Sequence, residues 1–176
     1  MRAANRDLCL LLVVHANLIR TLEPGNHFLD PVDVDQVSLS VATSGPTVTN
    51  FKLLDITGGS SVQVGTTQPI ATSSAVTFNF LTNPQQIGAG QTKTYELIAT
   101  VSGWAQYGTL SIGLVQDTVA AAQNDQELNV ISNNSGQNNI IWSDRSATGH
   151  STTTTDWTNG YLLKNFVNDV TSYTHN

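Results

Sequence analysis

Residues 142–161 read WSDRSATGHSTTTTDWTNGY, and they raise the question of chemistry at once. Asp144, His150 and Ser151 are the residue types of an orienting carboxylate, a base and a nucleophile. A hydrolytic triad also needs an oxyanion hole and a rigidly presented nucleophile. The chain has no GxSxG turn, and the three candidates share one Thr-rich loop, which disfavours acyl transfer. Asp144 with Asp156 has the composition of a glycosidase pair, whose carboxyl groups stand about 5–9.5 Å apart in a cleft. A single loop on a small domain is poor ground for such a cleft. The same two aspartates, with nearby hydroxyls and carbonyls, offer the oxygen ligands that calcium takes, so a structural calcium site is an open reading. No DxDxDG loop is present. Asp33 and Asp35, in DPVDVDQV, form a second acidic cluster where a strand begins, and alternation there aims both at solvent. Zinc through His150 would need His15, His27 or His175, which lie far apart in the sequence.

A plainer reading accounts for the same stretch. Trp142 ends an apolar strand, so its ring packs at the rim of a core. Asp144, Ser146 and Ser151 can close side-chain-to-backbone turns. STTTTD is too polar to enter a core. Trp157 and Tyr161 then fold the segment back over a sheet edge, with Asn159-Gly160 as a tight turn, since both residues tolerate positive φ. This clasp is the leading expectation, and it leaves no catalytic residue. A functional alternative uses the aromatics. Trp104 and Tyr107 in SGWAQYG, with Trp157 and Tyr161, could stack pyranose rings, amides and carboxylates fixing the hydroxyls. Asn133-Asn134-Ser135 is a glycosylation-type sequon in a polar loop.

The elements that must position these residues are strands. VSLSVA sets Val37, Leu39 and Val41 on one face; AVTFNF sets Val76, Phe78 and Phe80. KTYELIATV sets Tyr95, Leu97, Ala99 and Val101, and TLSIGLV sets Leu110, Ile112 and Leu114. Such period-two alternation predicts half-buried antiparallel strands. FKLLDI (51–56), SVQVG (61–65), ELNVI (127–131) and NIIW (139–142) are further strand candidates. SGPT (44–47), TGGSS (57–61), NPQQIGAGQ (83–91) and SGWAQYG (102–108) separate them as turns. DTVAAAQNDQ (117–126) reads as a long loop, and LLKNFVNDV as either a helix or an extended tail. Seven or eight short strands at this spacing predict an all-β, immunoglobulin-like antiparallel sandwich.

Composition narrows the function classes. A chain of 176 residues is one domain. Only 11% of its residues are charged, less than half the usual share of about 25%. The net charge is -6, and the seven basic residues, Arg2, Arg6, Arg20, Lys52, Lys93, Arg145 and Lys164, are scattered. With no basic stripe to neutralise phosphates, nucleic acid and anionic membrane surfaces are disfavoured. The single cysteine, Cys9, excludes an internal disulfide and a thiolate zinc site, and its leucine neighbours suggest an inert thiol. Arg2 and Arg6 precede LCLLLVV and then Val14-His15-Ala16. That is the pattern of a short signal peptide cut after Ala16, or, slightly favoured, of a first buried strand. Seven apolar residues are too few to span a bilayer, which takes about 20 in helical form.

Two stretches carry a resemblance. IGAGQTKTYELIATVSG (87–103) resembles a strand-turn-strand signature of repeated immunoglobulin-like modules in large bacterial surface proteins. IIWSDRSATGHSTTTTDWTNGYLLK (140–164) resembles a segment that closes such modules in secreted proteins of uncultivated bacteria. The likeness covers roughly residues 32–164. It implies an extracellular structural or adhesive module and supplies no catalytic residue. The expected organisation is an N-terminal segment (1–31), a sandwich (32–143), and a polar loop, clasp and tail (144–176). Expected partners are neighbouring modules or other copies, with a glycan as the alternative. Residues 1–31 or 162–176 are the strands that one copy could donate to another.

Overall fold

The computed structural model describes residues 6–15, 31–70, 75–80, 83–103, 106–114, 117, 139–162 and 170–174, with backbone alone at 6–15, 70, 162 and 170–174. The alternating stretches become eleven strands. They are β1 (Arg6–His15), β2 (Val32–Ser44), β3 (Thr47–Asp55), β4 (Val62–Ile70), β5 (Ala75–Asn79) and β6 (Gln85–Ile87). β7 (Thr92–Ser102), β8 (Thr109–Leu114), β9 (Ile140–Ser143), β10 (Trp157–Asn159) and β11 (Val170–Thr174) follow. Every pairing is antiparallel. The protein is an all-β sandwich.

One sheet has the order β1-β7-β3-β4. The other is built around β2. Val37 of β2 pairs with Phe78 of β5 on one side and Ile140 of β9 on the other. Val34 lies between Gln85 of β6 and Trp142 of β9, and Leu39 between Val76 of β5 and Leu114 of β8. β5 and β6 therefore form one broken row beside β2, and β8 and β9 form another. β10 and β11 lie beyond β9 and β8.

The apolar halves of the alternating strands meet between the sheets. Val37, Leu39, Val41, Val76, Phe78, Phe80, Tyr95, Leu97, Ala99, Val101, Leu110 and Ile112 are all buried there, as their spacing predicts. Phe51, Leu53, Ile87 and Trp142 complete the core. Each large side chain of this kind contributes about 1.5–3 kcal/mol by leaving water.

Two turn assignments change. Residues 83–91 contain a strand, β6, because Ile87 is wholly buried and pairs with Val32. Three residues are too few to show an alternation. The tight reversal at Asn159-Gly160 is also absent. Neither residue has positive φ. β10 instead runs into a 3-10 turn at Gly160–Leu162, and Asn159 Oδ1 accepts the Tyr161 N–H at 3.1 Å. Residues 127–131 lie outside the described residues, as does most of the tail. The N-terminal apolar run is a strand on the edge of β7, ten residues in register from Arg6↔Val101 to His15↔Thr92.

The β8/β9 row closes over a detour. Leu114 stands opposite Leu39 and Ile140 opposite Val37, and between them the Ser38 N–H donates to Asn139 O. The chain thus leaves the sheet after β8 and returns beside the point of departure. Asp117, 6% exposed, ties the junction. Its carboxylate accepts the backbone N–H groups of Asn139, Ile140 (3.0 Å) and Gly160 (2.8 Å). Gly160 is required by this approach, since a Cβ there would lie 2.9 Å from Asp117 Oδ2. Asp117→Ala would strand three N–H donors, and each such loss in a buried setting costs about 1–3 kcal/mol. The expected result is a drop of several kcal/mol in urea unfolding.

Candidate functional site: a buried imidazole between two carboxylates

The residues of the opening stretch are placed by strand register. Asp33 of β2, Ser143 of β9 and Trp157 of β10 stand in one row across three adjacent strands. Their neighbours Val34 and Trp142 belong to the sandwich core. Alternation therefore puts this row on the other face of the sheet. That face is not open to water. Asp33 is 6% exposed, and Ser143 and Trp157 are not exposed at all. The segment between β9 and β10 folds over it.

His150 is the centre of that cover. Its Nδ1 lies 2.7 Å from Asp156 Oδ2 and its Nε2 lies 3.0 Å from Asp33 Oδ2. Its ring stands over Trp157, with centroids 5.2 Å apart. Arg145 Nη1 lies 3.2 and 3.3 Å from the two Asp33 oxygens, its side chain partly exposed. Asp33, buried, thus has both the imidazole and the guanidinium as partners, as a buried carboxylate requires. Arg145 reaches this position from a left-handed backbone, φ 58°, with its N–H donating to Ser143 Oγ at 2.9 Å.

Asp156 is saturated by donors. Its Oδ2 receives Ser143 Oγ–H (2.8 Å), the Ala147 N–H (3.3 Å) and His150, and its Oδ1 receives the Thr154 hydroxyl. Burial pushes its carboxyl up, but hydrogen bonds from Thr154, Ser143, His150 and Ala147 outweigh this and hold it at about 2. Asp35 is the contrasting case. It sits at the β2 bulge between Val34 and Gln36, 1% exposed, with no hydrogen-bond partner at Oδ1. Burial raises it to about 6. Asp33 and Asp35 are therefore both buried, contrary to the solvent-facing reading. β2 is covered on both faces, which a local alternation cannot reveal.

Trp142 Nε1–H donates to Asn159 O at 3.0 Å, and Trp157 Nε1–H to Ser151 O at 2.9 Å. These bonds fasten the covering segment at both ends, without the Asn-Gly reversal expected and with Tyr161 exposed. No family model, curated protein or solved structure matches the chain.

The geometry redistributes the candidate residues. Asp144 does not join His150; its Oδ1 accepts the Ser146 N–H at 3.0 Å in a local turn. Ser151 Oγ faces Thr153 Oγ1 at 3.1 Å, and both His150 nitrogens are engaged elsewhere, so Asp144, His150 and Ser151 do not form a triad. Asp144 Oδ1 takes the Ser146 N–H, whereas Asp156 takes four donors, three on Oδ2 and one on Oδ1. Among the described residues, no group of three or more His, Cys, Asp or Glu could hold a metal. Of the aromatics, Trp157 is wholly buried beneath His150 and offers no face to a sugar. Tyr107 and Tyr161 are exposed, in the turn before β8 and the turn after β10. Trp104 lies outside the described residues. Asp33 and Arg145 are the partners that sequence reasoning missed; Asp33 lies 117 positions before His150, and only the register of β2 brings them together.

Two tests follow from the geometry. His150→Ala leaves Asp33 and Asp156 facing each other without their bridge, and removal of one partner from a buried charge pair costs about 3–5 kcal/mol. The expected result is destabilisation of that order, with Trp157 emission shifted red at denaturant levels where the parent stays native. Acid titration reads Asp156 itself. Its folded value lies below the ordinary 3.8, so its contribution is complete above about pH 4 and is lost as pH falls through about 2, a difference of about 2 kcal/mol. Asp35 runs oppositely, its burial cost being relieved as pH falls through about 6. Unfolding free energies measured from pH 5 to 2 in an Asp35→Asn background should therefore fall, and Asp156→Asn should make that slope shallower, leaving the part due to Asp55, whose Thr57 and Lys93 partners also lower its carboxyl.

Proposed function

We propose that the chain is a non-enzymatic structural or adhesive module of a secreted or cell-surface protein, as the resemblance to bacterial immunoglobulin-like modules implies. The observation that carries this reading is the internal pairing of the one chemically rich segment. Its imidazole, its better-placed carboxylate and its indole N–H groups all bond to each other or to the sandwich. Groups used in this way hold a loop in place and leave nothing poised for a substrate. Among the described residues no helix is long and apolar enough to cross a membrane.

The module's partners are neighbouring modules or other copies, and the sheet edges indicate where contact is possible. β4 is guarded by a bulge, since residues 65–67 stand against the single Lys52 of β3, and by Pro69. The β5/β6 row is broken before Pro84. β1 has neither device: its ten residues carry no Pro, no Gly and no bulge against β7. A strand given by one copy to another would make the same register on β7 that β1 makes here. The register supplies its own probe, because Cys9 pairs with Ile98. Directly opposed strand residues have Cα atoms about 4.5–5.5 Å apart, within disulfide reach.

Mild oxidation of an Ile98→Cys variant at high concentration should give a covalent dimer on a non-reducing gel. A product joined only within single chains would sink the exchange. The non-enzymatic reading stands on a separate assay. Ester, glycoside and peptide substrates should show no turnover, and a hydrolysis lost in Asp156→Asn with the fold retained would overturn it.

A further inference from the structure

On the side of the sandwich away from the clasp, the edges of the two sheets part. β4 bulges at residues 65–67, and the β5/β6 row breaks between Asn79 and Gln85. Between them runs a groove of about 580 Å³, within the range of about 300–1,000 Å³ usual for small-molecule sites. We propose that this groove binds a neutral saccharide segment.

The lining decides the ligand class. Gln63, Asn79, Asn83 and Gln85 line the groove together with Thr57, Ser60 and Thr66, so amide and hydroxyl residues dominate it. The one carboxylate, Asp55, is neutralised in place: Lys93 Nζ lies 3.1 Å from its Oδ2, and the Thr57 N–H donates to its Oδ1 at 2.9 Å. Lys93 also donates to Gln85 Oε1 at 3.4 Å. With no uncompensated charge, the groove lacks what a phosphate, a nucleic acid or an ammonium ligand would require. Amides carry donors and acceptors on one planar head, which suits the paired donor and acceptor roles of vicinal hydroxyls. Two of them are available: the side chains of Asn79 and Asn83 make no hydrogen bond among the described residues, while Gln63 and Gln85 are committed to Gly65, Thr67 and Asn83 carbonyl or hydroxyl oxygens through their Nε2 groups.

The lining supplies the apolar contact that a sugar ring needs. Val62, 59% exposed, is the apolar side chain in the lining that is open to a ligand, and Val64 and Phe80 lie buried behind it. Gly65 packs directly against the Phe80 ring: it has φ +67°, and a Cβ on it would lie 3.2 Å from Phe80 Cε1. The amides, the neutralised acid and the Val62 side chain together form a cradle for a hydroxylated, uncharged ligand.

This inference deepens the adhesive reading by naming what the module would hold, and its failure leaves contact between copies untouched. The test is a nitrogen-15 NMR titration of the full chain. The probes are soluble hexasaccharides of β-1,4-glucose, β-1,4-xylose, β-1,4-N-acetylglucosamine and α-1,4-glucose. At least one should move the side-chain amide signals of Asn79 and Asn83 saturably, with a dissociation constant between about 10 μM and 1 mM, and the Asn79→Ala/Asn83→Ala double variant should bind at least about tenfold more weakly at an unchanged unfolding midpoint. Absence of saturation with all four sugars overturns the proposal. So does binding that the double variant leaves intact, or binding that moves only signals around Tyr107 and Tyr161.

Discussion

A carboxylate on a strand covered from both sides has to be neutralised where it stands. β2 is such a strand: core side chains fill one face, the 144–156 segment closes the other, and rows of strand pair along both of its edges. Asp33 cannot turn away, because strand geometry fixes its direction, and the cost of an unpaired buried charge exceeds what a small domain has in reserve. His150 and Arg145 meet that need. The loop that carries them is ordered by the charge it compensates, and the sandwich gains a third layer as a result. Ser143 and Trp157, in the same cross-strand row, supply the polar anchor and the flat surface on which the imidazole rests.

The order of construction explains why this segment looks like a catalytic loop without the geometry of one. Histidine, aspartate, serine and threonine are the side chains of hydrolytic chemistry and also the short polar groups that fill one another's hydrogen-bonding capacity in a confined space. What separates the two cases is whether any group keeps a free lone pair or proton directed at a cavity. Here the better-placed carboxylate has four donors and the imidazole has two acceptors. Asp35 shows the other outcome on the same strand: at the bulge its Oδ1 has no hydrogen-bond partner, and burial makes the carboxyl hold its proton more tightly.

The sandwich was legible because alternation is local. Val37, Leu39 and Val41, or Leu97, Ala99 and Val101, declare a buried face within five residues. β6 was hidden because three residues carry no period. The partner of His150 was hidden for a different reason: contact between positions 33 and 150 depends on the pairing of β2 with β9, a long-range choice that no short window contains. For Trp157 the sequence left packing and sugar stacking as rivals, because exposure of a ring in a polar segment is decided by what lies beneath the segment; the ring is packed. The Asn159-Gly160 pair misled in a similar way. Its glycine answers the close approach of Asp117 from across the sheet, and no reversal of the chain is involved.

The three-pronged grip of Asp117 has a wider bearing. Asp117 fastens the start of β9 to the turn after β10, beside the end of β8, so the framework depends on that junction. Such a place accepts insertions at little thermodynamic cost, since closing a longer loop adds only a slowly growing entropy term. Lineages could lengthen, shorten or exchange that passage while the framework stays constant, and an engineer could graft a foreign peptide there.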